Sequence, residues 1–334
     1  MPNRSAVALA IALLSVAACG QSGGSPTAAP SASPSPASSL ATIGQPADDG
    51  ARIVGVQTLG ARMRDLTIES PMVGTVMVRL LLPSTFADDP SARFPVLYLL
   101  HGGAGHYTDW TINTDVEALT APTDLLVVMP AALTSGLGDR TQRGPGGTGM
   151  WETFHLTELR QLIERDWQAG DERAIAGLSM GGFGTLTYAE KHPDLFKGVA
   201  TFSGSPLNKV ALAAMLTLQK DLARWGDLEL DETSWGGNDP VKLIDRLKGK
   251  ALYFSYGNGT PGPLDPPERT DIDELEKAVS AGNDAFVAAL EEAGIPATVN
   301  AYGPGTHSWP YWERELHASL PMLLQAVGAT SSSR

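Results

Sequence analysis

The chain has 334 residues, 43% of them hydrophobic and 18% charged, with a formal net charge of −13. An apolar fraction of this size is ordinary for a globular protein and excludes a chain that is disordered throughout. The acidic balance, with no stripe of Lys and Arg to neutralise phosphates, excludes nucleic acid as an expected partner.

The first predicted element is a targeting segment. Met1 to Arg4 form a short positive start, Ala6 to Leu14 an apolar run, and Val16-Ala17-Ala18-Cys19 supplies the small residues a signal peptidase needs. This stretch looks like a bacterial lipobox, so residues 1–19 read as a lipoprotein signal ending at Cys19. The expectation is a secreted protein held on the outer face of the membrane by acyl chains on that thiol. The alternative is an ordinary signal peptide cleaved beside an incidental cysteine. Cys19 is the only cysteine, so neither an intramolecular disulfide nor a thiolate metal cluster is available. Residues 20–50 are rich in Pro, Ser and Ala, the composition of a tether. One folded domain is expected over 51–328, then a disordered tail over 329–334.

Within that domain, Met63 to Ile68 and Thr75 to Leu82 suit an antiparallel hairpin turned by Pro71-Met72-Val73-Gly74. Phe94 to Leu100 and Asp124 to Pro130 are instead nearly uninterrupted apolar runs, as expected of strands covered on both faces of a parallel sheet. Glu152 to Trp167, Asp284 to Ala293 and Trp309 to Val327 carry helical spacing. The alternation predicts a mostly parallel, doubly wound α/β sheet with its site at the carboxyl ends of the strands. Gly144-Pro145-Gly146-Gly147-Thr148-Gly149 lacks a following Gly-Lys-Ser/Thr and reads as a loop over the site, not a phosphate cradle.

Gly177-Leu178-Ser179-Met180-Gly181 matches the nucleophile elbow Gly-x-Ser-x-Gly, with the strand candidate Arg173 to Ala176 before it and a helix start at Gly182 to Ala189 behind it. A serine hydroxyl needs an imidazole to take its proton and a carboxylate to orient that imidazole. In the chain order Ser, acid, His, the histidines beyond Ser179 are His192, His307 and His317. His192 lies too near in sequence, and His317 falls inside the last helical pattern. His307 follows the strand-like Ala297 to Tyr302 and the loop Gly303 to Thr306, where a sheet sets a base on its catalytic edge. The oxyanion donors expected are the N–H groups of Met180 and of Gly103, at the end of the strand Val96 to Leu100. His101 and Trp309 are the side chains expected beside the substrate, and His101 reads as a loop-fixing residue in preference to a base. For the acid, Asp265, Asp271, Asp273, Glu274 and Glu276 all lie between the strand Ala251 to Ser255 and His307. No metal motif and no cofactor motif is found.

With these residues in place the chain resembles the esterase D family and, within it, the mycolyltransferases of the antigen 85 complex. The likeness runs through Leu99-Leu100-His101-Gly102-Gly103, Ile112-Asn113-Thr114, Trp151-Glu152-Thr153-Phe154, Gly177-Leu178-Ser179-Met180, Asn238-Asp239-Pro240, Tyr256-Gly257-Asn258-Gly259-Thr260-Pro261 and Gly305-Thr306-His307-Ser308-Trp309-Pro310-Tyr311-Trp312. It implies the α/β-hydrolase fold and, without cofactor, hydrolysis of carboxylic esters or acyl transfer through an acyl-serine. It also implies Glu276 as the acid, because Leu275-Glu276 with Asn283-Asp284-Ala285-Phe286 reproduces the order found in antigen 85 proteins, with Asp265 as runner-up. One departure is His101-Gly102-Gly103-Ala104, where the mycolyltransferases carry Asp-Gly-Leu-Arg to help hold trehalose. Trehalose is therefore not implied as acceptor. The alternative outside enzymes is a surface binding protein that keeps the fold without the chemistry.

Overall fold

The structure, a computed structural model, describes residues 43–132, 149–204, 206, 227, 229–230 and 235–330. Cys19, the tether up to residue 42 and residues 144–148 of the glycine-rich loop lie outside the described residues. Nine strands form one sheet: β1 (Arg52–Thr58), β2 (Met63–Ser70), β3 (Gly74–Leu81), β4 (Phe94–Leu100), β5 (Leu126–Pro130), β6 (Ala169–Leu178), β7 (Gly198–Phe202), β8 (Ala251–Gly257) and β9 (Thr298–Gly303). Their order is β1-β2-β3-β5-β4-β6-β7-β8-β9. The first three strands pair antiparallel, as does β3 with β5, and the remaining pairs are parallel. The hairpin expected from the sequence is β2 and β3, and β1 extends it by one strand.

Burial on both faces explains the apolar runs. In β4, Val96, Tyr98 and Leu100 enter one core cluster while Leu97 and Leu99 enter the other, the period-two alternation of a pleated strand. One layer is closed by Phe154, Leu159, Leu162, Leu186, Phe286 and Leu290, and the opposite layer by Trp110, Val116, Trp312, Leu316, Leu320 and Leu323. Helices on both faces make the sheet doubly wound, as predicted. The chain leaves β4 for β5 on one side and later leaves β6 for β7 on the other. The order thus reverses between β4 and β6, and in an open α/β sheet such a switch point is where ligands bind.

Four segments differ from the sequence reading. Residues 43–50 are not tether: Ile43 bridges Ile53, Ala47 is buried, and Asp48 pairs with Arg165 and Gln161. Their composition hides this, because the docking is made by main-chain groups and charged side chains, not by an apolar run. At the other end, the Thr330 N–H donates to Asp124 Oδ1 at 2.9 Å, so residue 330, expected in the tail, is tied to the domain, and residues 331–334 lie outside the described residues. The helix predicted from Asp284 begins ten residues earlier, at Glu274, and runs to Glu292. Its first turn is acidic, which masks the periodicity, yet Glu276, Val279, Asn283, Phe286 and Leu290 form a buried stripe. The Glu152–Trp167 helix is observed as Trp151–Thr153, a π-helical stretch Phe154–Leu159, and Arg160–Asp166.

Candidate active site

Ser179 stands between β6 and the helix Met180–Lys191 with φ 52° and ψ −117°. A non-glycine residue held there is strained by about 1–3 kcal/mol, a cost the surroundings must offset. Packing shows how the turn is enforced. A Cβ on Gly177 would come 2.5 Å from the Gly181 carbonyl, and one on Gly181 would come 2.5 Å from the Leu100 carbonyl oxygen. Glycine at both positions lets β6, the helix and the end of β4 close on the serine. The Ser179 N–H donates to the Phe202 carbonyl at 2.9 Å, tying the elbow to the end of β7. Met180 opens the helix, and its N–H belongs to the first turn, whose donors have no intrahelical acceptor.

The loop after β4 lies against the elbow. A Cβ built on Gly102 would sit 3.5 Å from Ser179 Cβ and 2.6 Å from Leu178 Cδ1. His101 is 2% exposed, and main-chain groups take both ring nitrogens: Nδ1 bonds the Gly102 carbonyl at 2.7 Å and Nε2 accepts the Ala132 N–H at 2.9 Å. That pattern fixes a neutral imidazole, and burial pushes its pKa down further than the Gly102 bond raises it. No ring nitrogen is left for a substrate. The loop-fixing role accounts for His101 in full, and the expected substrate contact does not. Downstream, Trp110 Nε1 donates to the Leu100 carbonyl, and the buried Arg79–Asp65 pair holds Thr111 and Tyr107.

His307 lies between β9 and the helix Trp309–Ala326, its ring edge-on to Trp312 at 4.9 Å. Its Nδ1 meets Glu276 Oε2 at 2.6 Å. Glu276 is completely buried, and its other oxygen accepts the Gly257 N–H at 2.7 Å and the Ser203 hydroxyl at 2.8 Å. Ser203 in turn accepts the Trp312 indole N–H at 3.1 Å. A buried carboxylate is tolerated when its lone pairs are filled in this way. His307 Nε2 is buried without a hydrogen-bond partner, so the hydroxyl of Ser179 is not bonded to it in this structure. Catalytic hydrogen bonds are often long before substrate binds. The end of β7 links the two halves, since Phe202 holds Ser179 and the next residue, Ser203, holds Glu276.

Among the candidate acids, the structure brings Glu276 to the imidazole and not Asp265. Asp265 accepts the Gly262 N–H and the Tyr311 hydroxyl, both at 2.8 Å, and the Thr306 hydroxyl. Burial would raise its pKa, but those bonds and Arg269 outweigh it and hold the carboxyl low. Trp309 is partly exposed and packs edge-on to Trp110 and Trp312 at 5.3 Å each. His192 bonds Glu152 at 2.7 Å. His317 is exposed and bonds Asp115 at 2.7 Å. With Glu313 these two form the group among the described residues whose ligand atoms lie within 4.8 Å of one another, a possible metal set that faces solvent. The sequence does not reveal Ser203 and the Gly257 N–H as partners of Glu276. Ser203 has φ 47°, and nothing in Phe202-Ser203-Gly204 announces it.

A doubly wound sheet with a serine on a strained strand-to-helix turn is the α/β-hydrolase fold. Residues 70–323 match the family described as putative esterase, and the chain belongs to that family. It is similar to Esterase Rv1288 of Mycobacterium tuberculosis, 30% identical over 282 residues that cover 79% of this chain and 60% of that protein. This chain thus spans about 60% of that relative's length. It is also similar to the diacylglycerol acyltransferase/mycolyltransferase Ag85B of Mycobacterium intracellulare, 32% identical over 257 residues, 71% of this chain and 77% of that one. Among solved structures, a ferulic acid esterase superposes with a TM-score of 0.60 at 26% identity, over 80% of this chain and 98% of its own.

Proposed function

We propose that the protein is a serine esterase that cleaves carboxylic esters through an acyl-Ser179 intermediate. The observation that carries this reading is the 2.6 Å pairing of His307 Nδ1 with the buried Glu276, which leaves Nε2 as the open nitrogen. Ser179 Oγ attacks the ester carbonyl carbon while His307 Nε2 takes the hydroxyl proton. The negative charge gathers on the carbonyl oxygen, where the N–H groups of Gly103 and Met180 receive it. Losing one such donor typically costs about 3–4 kcal/mol of barrier. The intermediate collapses, the C–O bond to the alcohol breaks, and His307 returns the proton to the leaving alcohol. Water then repeats the sequence on the acyl-serine and releases the carboxylic acid. No step uses a metal or cofactor.

An acyltransferase is the second reading, and the named activity of the Ag85B relative favours it. Both share the acyl-enzyme and differ in whether water or an acceptor hydroxyl resolves it. The test is a panel of p-nitrophenyl esters of rising chain length, run with and without sugar or diacylglycerol acceptors. Hydrolysis indifferent to acceptor supports the esterase, whereas acyl transfer that outpaces hydrolysis supports the transferase. No turnover at all on folded protein supports a surface binding protein.

We further propose that the protein is secreted and anchored through lipid on Cys19. No helix among the described residues is long and apolar enough to cross a membrane. Cys19→Ser should move the protein out of the membrane fraction, and unchanged retention rejects the lipid as anchor.

A further inference from the structure

The acid helix starts with Asp273-Glu274-Leu275-Glu276, the sequence of a capping box, in which the first carboxylate accepts an N–H of the helix and the last reaches back to the cap's own N–H. Only the first half is made here. Asp273 Oδ1 accepts the Glu276 N–H at 3.1 Å, but the Glu276 side chain is turned away to His307, Gly257 and Ser203. The Asp273 N–H goes instead to the Gly259 carbonyl at 2.7 Å. Gly259 has φ +81°, and a Cβ there would stand 2.3 Å from the Asp273 carbonyl oxygen, so this close seat needs glycine.

The second oxygen of Asp273 does something a helix cap does not require. Oδ2 accepts the main-chain N–H of His307 at 3.1 Å, across 34 residues, and the guanidinium of Arg269 at 2.8 Å. Arg269 also donates to Thr306 Oγ1 at 3.0 Å, so the residue before the histidine is held by the same unit. One carboxylate thus grips the backbone of the base with one oxygen and the backbone of the acid with the other.

We propose that Asp273 is a positioning residue for the reaction: it fixes His307 and Glu276 to each other through their main chains, so that the imidazole is presented to Ser179 in one register. This rests on the esterase reading above. Proton transfer demands this kind of registry, because a displacement of about 1 Å in a reacting group can cost about a hundredfold in rate. The diverted capping box is the structural sign of it, since the glutamate has left its capping partner for the imidazole and a loop carbonyl has taken its place.

Asp273→Ser and Asp273→Asn separate positioning from capping. Both residues are good N-caps and keep an acceptor for the Glu276 N–H, so the helix start survives. Serine has no second oxygen for His307, and asparagine turns an amide donor toward two donors. On p-nitrophenyl butyrate, each variant should lose about ten- to a hundredfold in kcat with KM and melting temperature close to wild type. Glu274→Gln, an exposed neighbour, should behave as wild type. Wild-type kcat in Asp273→Ser overturns the proposal, as does a loss of activity that only follows a fall in melting temperature. If wild-type protein hydrolyses none of the esters and takes no fluorophosphonate, the esterase reading itself fails, which is a different result from an active wild type with an unaffected variant.

Discussion

Replacing Glu276 by glutamine tests the acid with little change of shape. The side chain is fully buried and accepts three bonds: from Gly257 N–H and Ser203 Oγ on one oxygen, and from His307 Nδ1 on the other. The glutamine oxygen can keep the first two only if its NH₂ faces the imidazole. His307 Nδ1 must then accept, which moves the ring proton to Nε2 and leaves nothing to take the proton of Ser179. The opposite amide orientation sets the NH₂ against two donors, at about 1–3 kcal/mol for each unsatisfied buried group. The tautomer change is therefore the favoured escape. Trapping the wrong tautomer in a serine protease triad costs about ten-thousandfold in turnover, which corresponds to about 5–6 kcal/mol of barrier. For this chain, Glu276→Gln should lower kcat on p-nitrophenyl butyrate by about that factor with little change in KM. Asp265→Asn, which touches Gly262, Tyr311 and Thr306 and not the imidazole, should cost far less. A loss under about tenfold in Glu276→Gln, or a larger loss in Asp265→Asn, refutes the reasoning.

Gly181→Ala should abolish activity and lower stability by about 1–3 kcal/mol, because its Cβ would overlap the main-chain oxygens of Leu100 and His101 at 2.5 and 2.6 Å. Thermal unfolding and ester hydrolysis check both halves, and a fully active variant contradicts the close seat of the elbow. Glu190, on the helix behind Ser179, is buried with neither oxygen hydrogen-bonded, and burial followed by the charge of Asp239 pushes its carboxyl well above the usual range, against Arg246. Its folded pKa is raised, so its contribution to stability is fully present below the ordinary carboxyl value of 4.5 and is lost as pH rises toward the raised value. Glu190→Gln should therefore gain on wild type in melting temperature from pH 5 to pH 8, and a difference that does not grow with pH counts against the unpaired carboxyl.

The elements read best from sequence are those whose burial is uniform. Phe94 to Leu100 is apolar throughout because both faces of β4 are covered, and the elbow is legible because strain and close packing leave only glycine at 177 and 181. β1 is as long as β4 but mostly half-buried or exposed, so it carries no apolar run to mark it, and Ser203 acts through a turn that has no motif. The choice between Glu276 and Asp265 was open to residue reading because carboxylates crowd the stretch from 265 to 276. The helix itself holds a usable signal: Glu276 falls on the stripe with Val279, Asn283, Phe286 and Leu290, where an unpaired carboxylate is not expected. His101 shows the reverse limit, since the His101-Gly102-Gly103 stretch admits both a loop-fixing and a substrate-facing ring, and only coordinates reveal that Gly102 and Ala132 have taken both nitrogens.

The central claim is that Ser179 is a nucleophile activated by His307. Its most direct measurement is fluorophosphonate labelling of the folded chain, with the adduct mapped by peptide mass. One adduct is expected, on Ser179, absent from Ser179→Ala and strongly slowed in His307→Gln. An unlabelled wild type, or label carried by another residue, would contradict it.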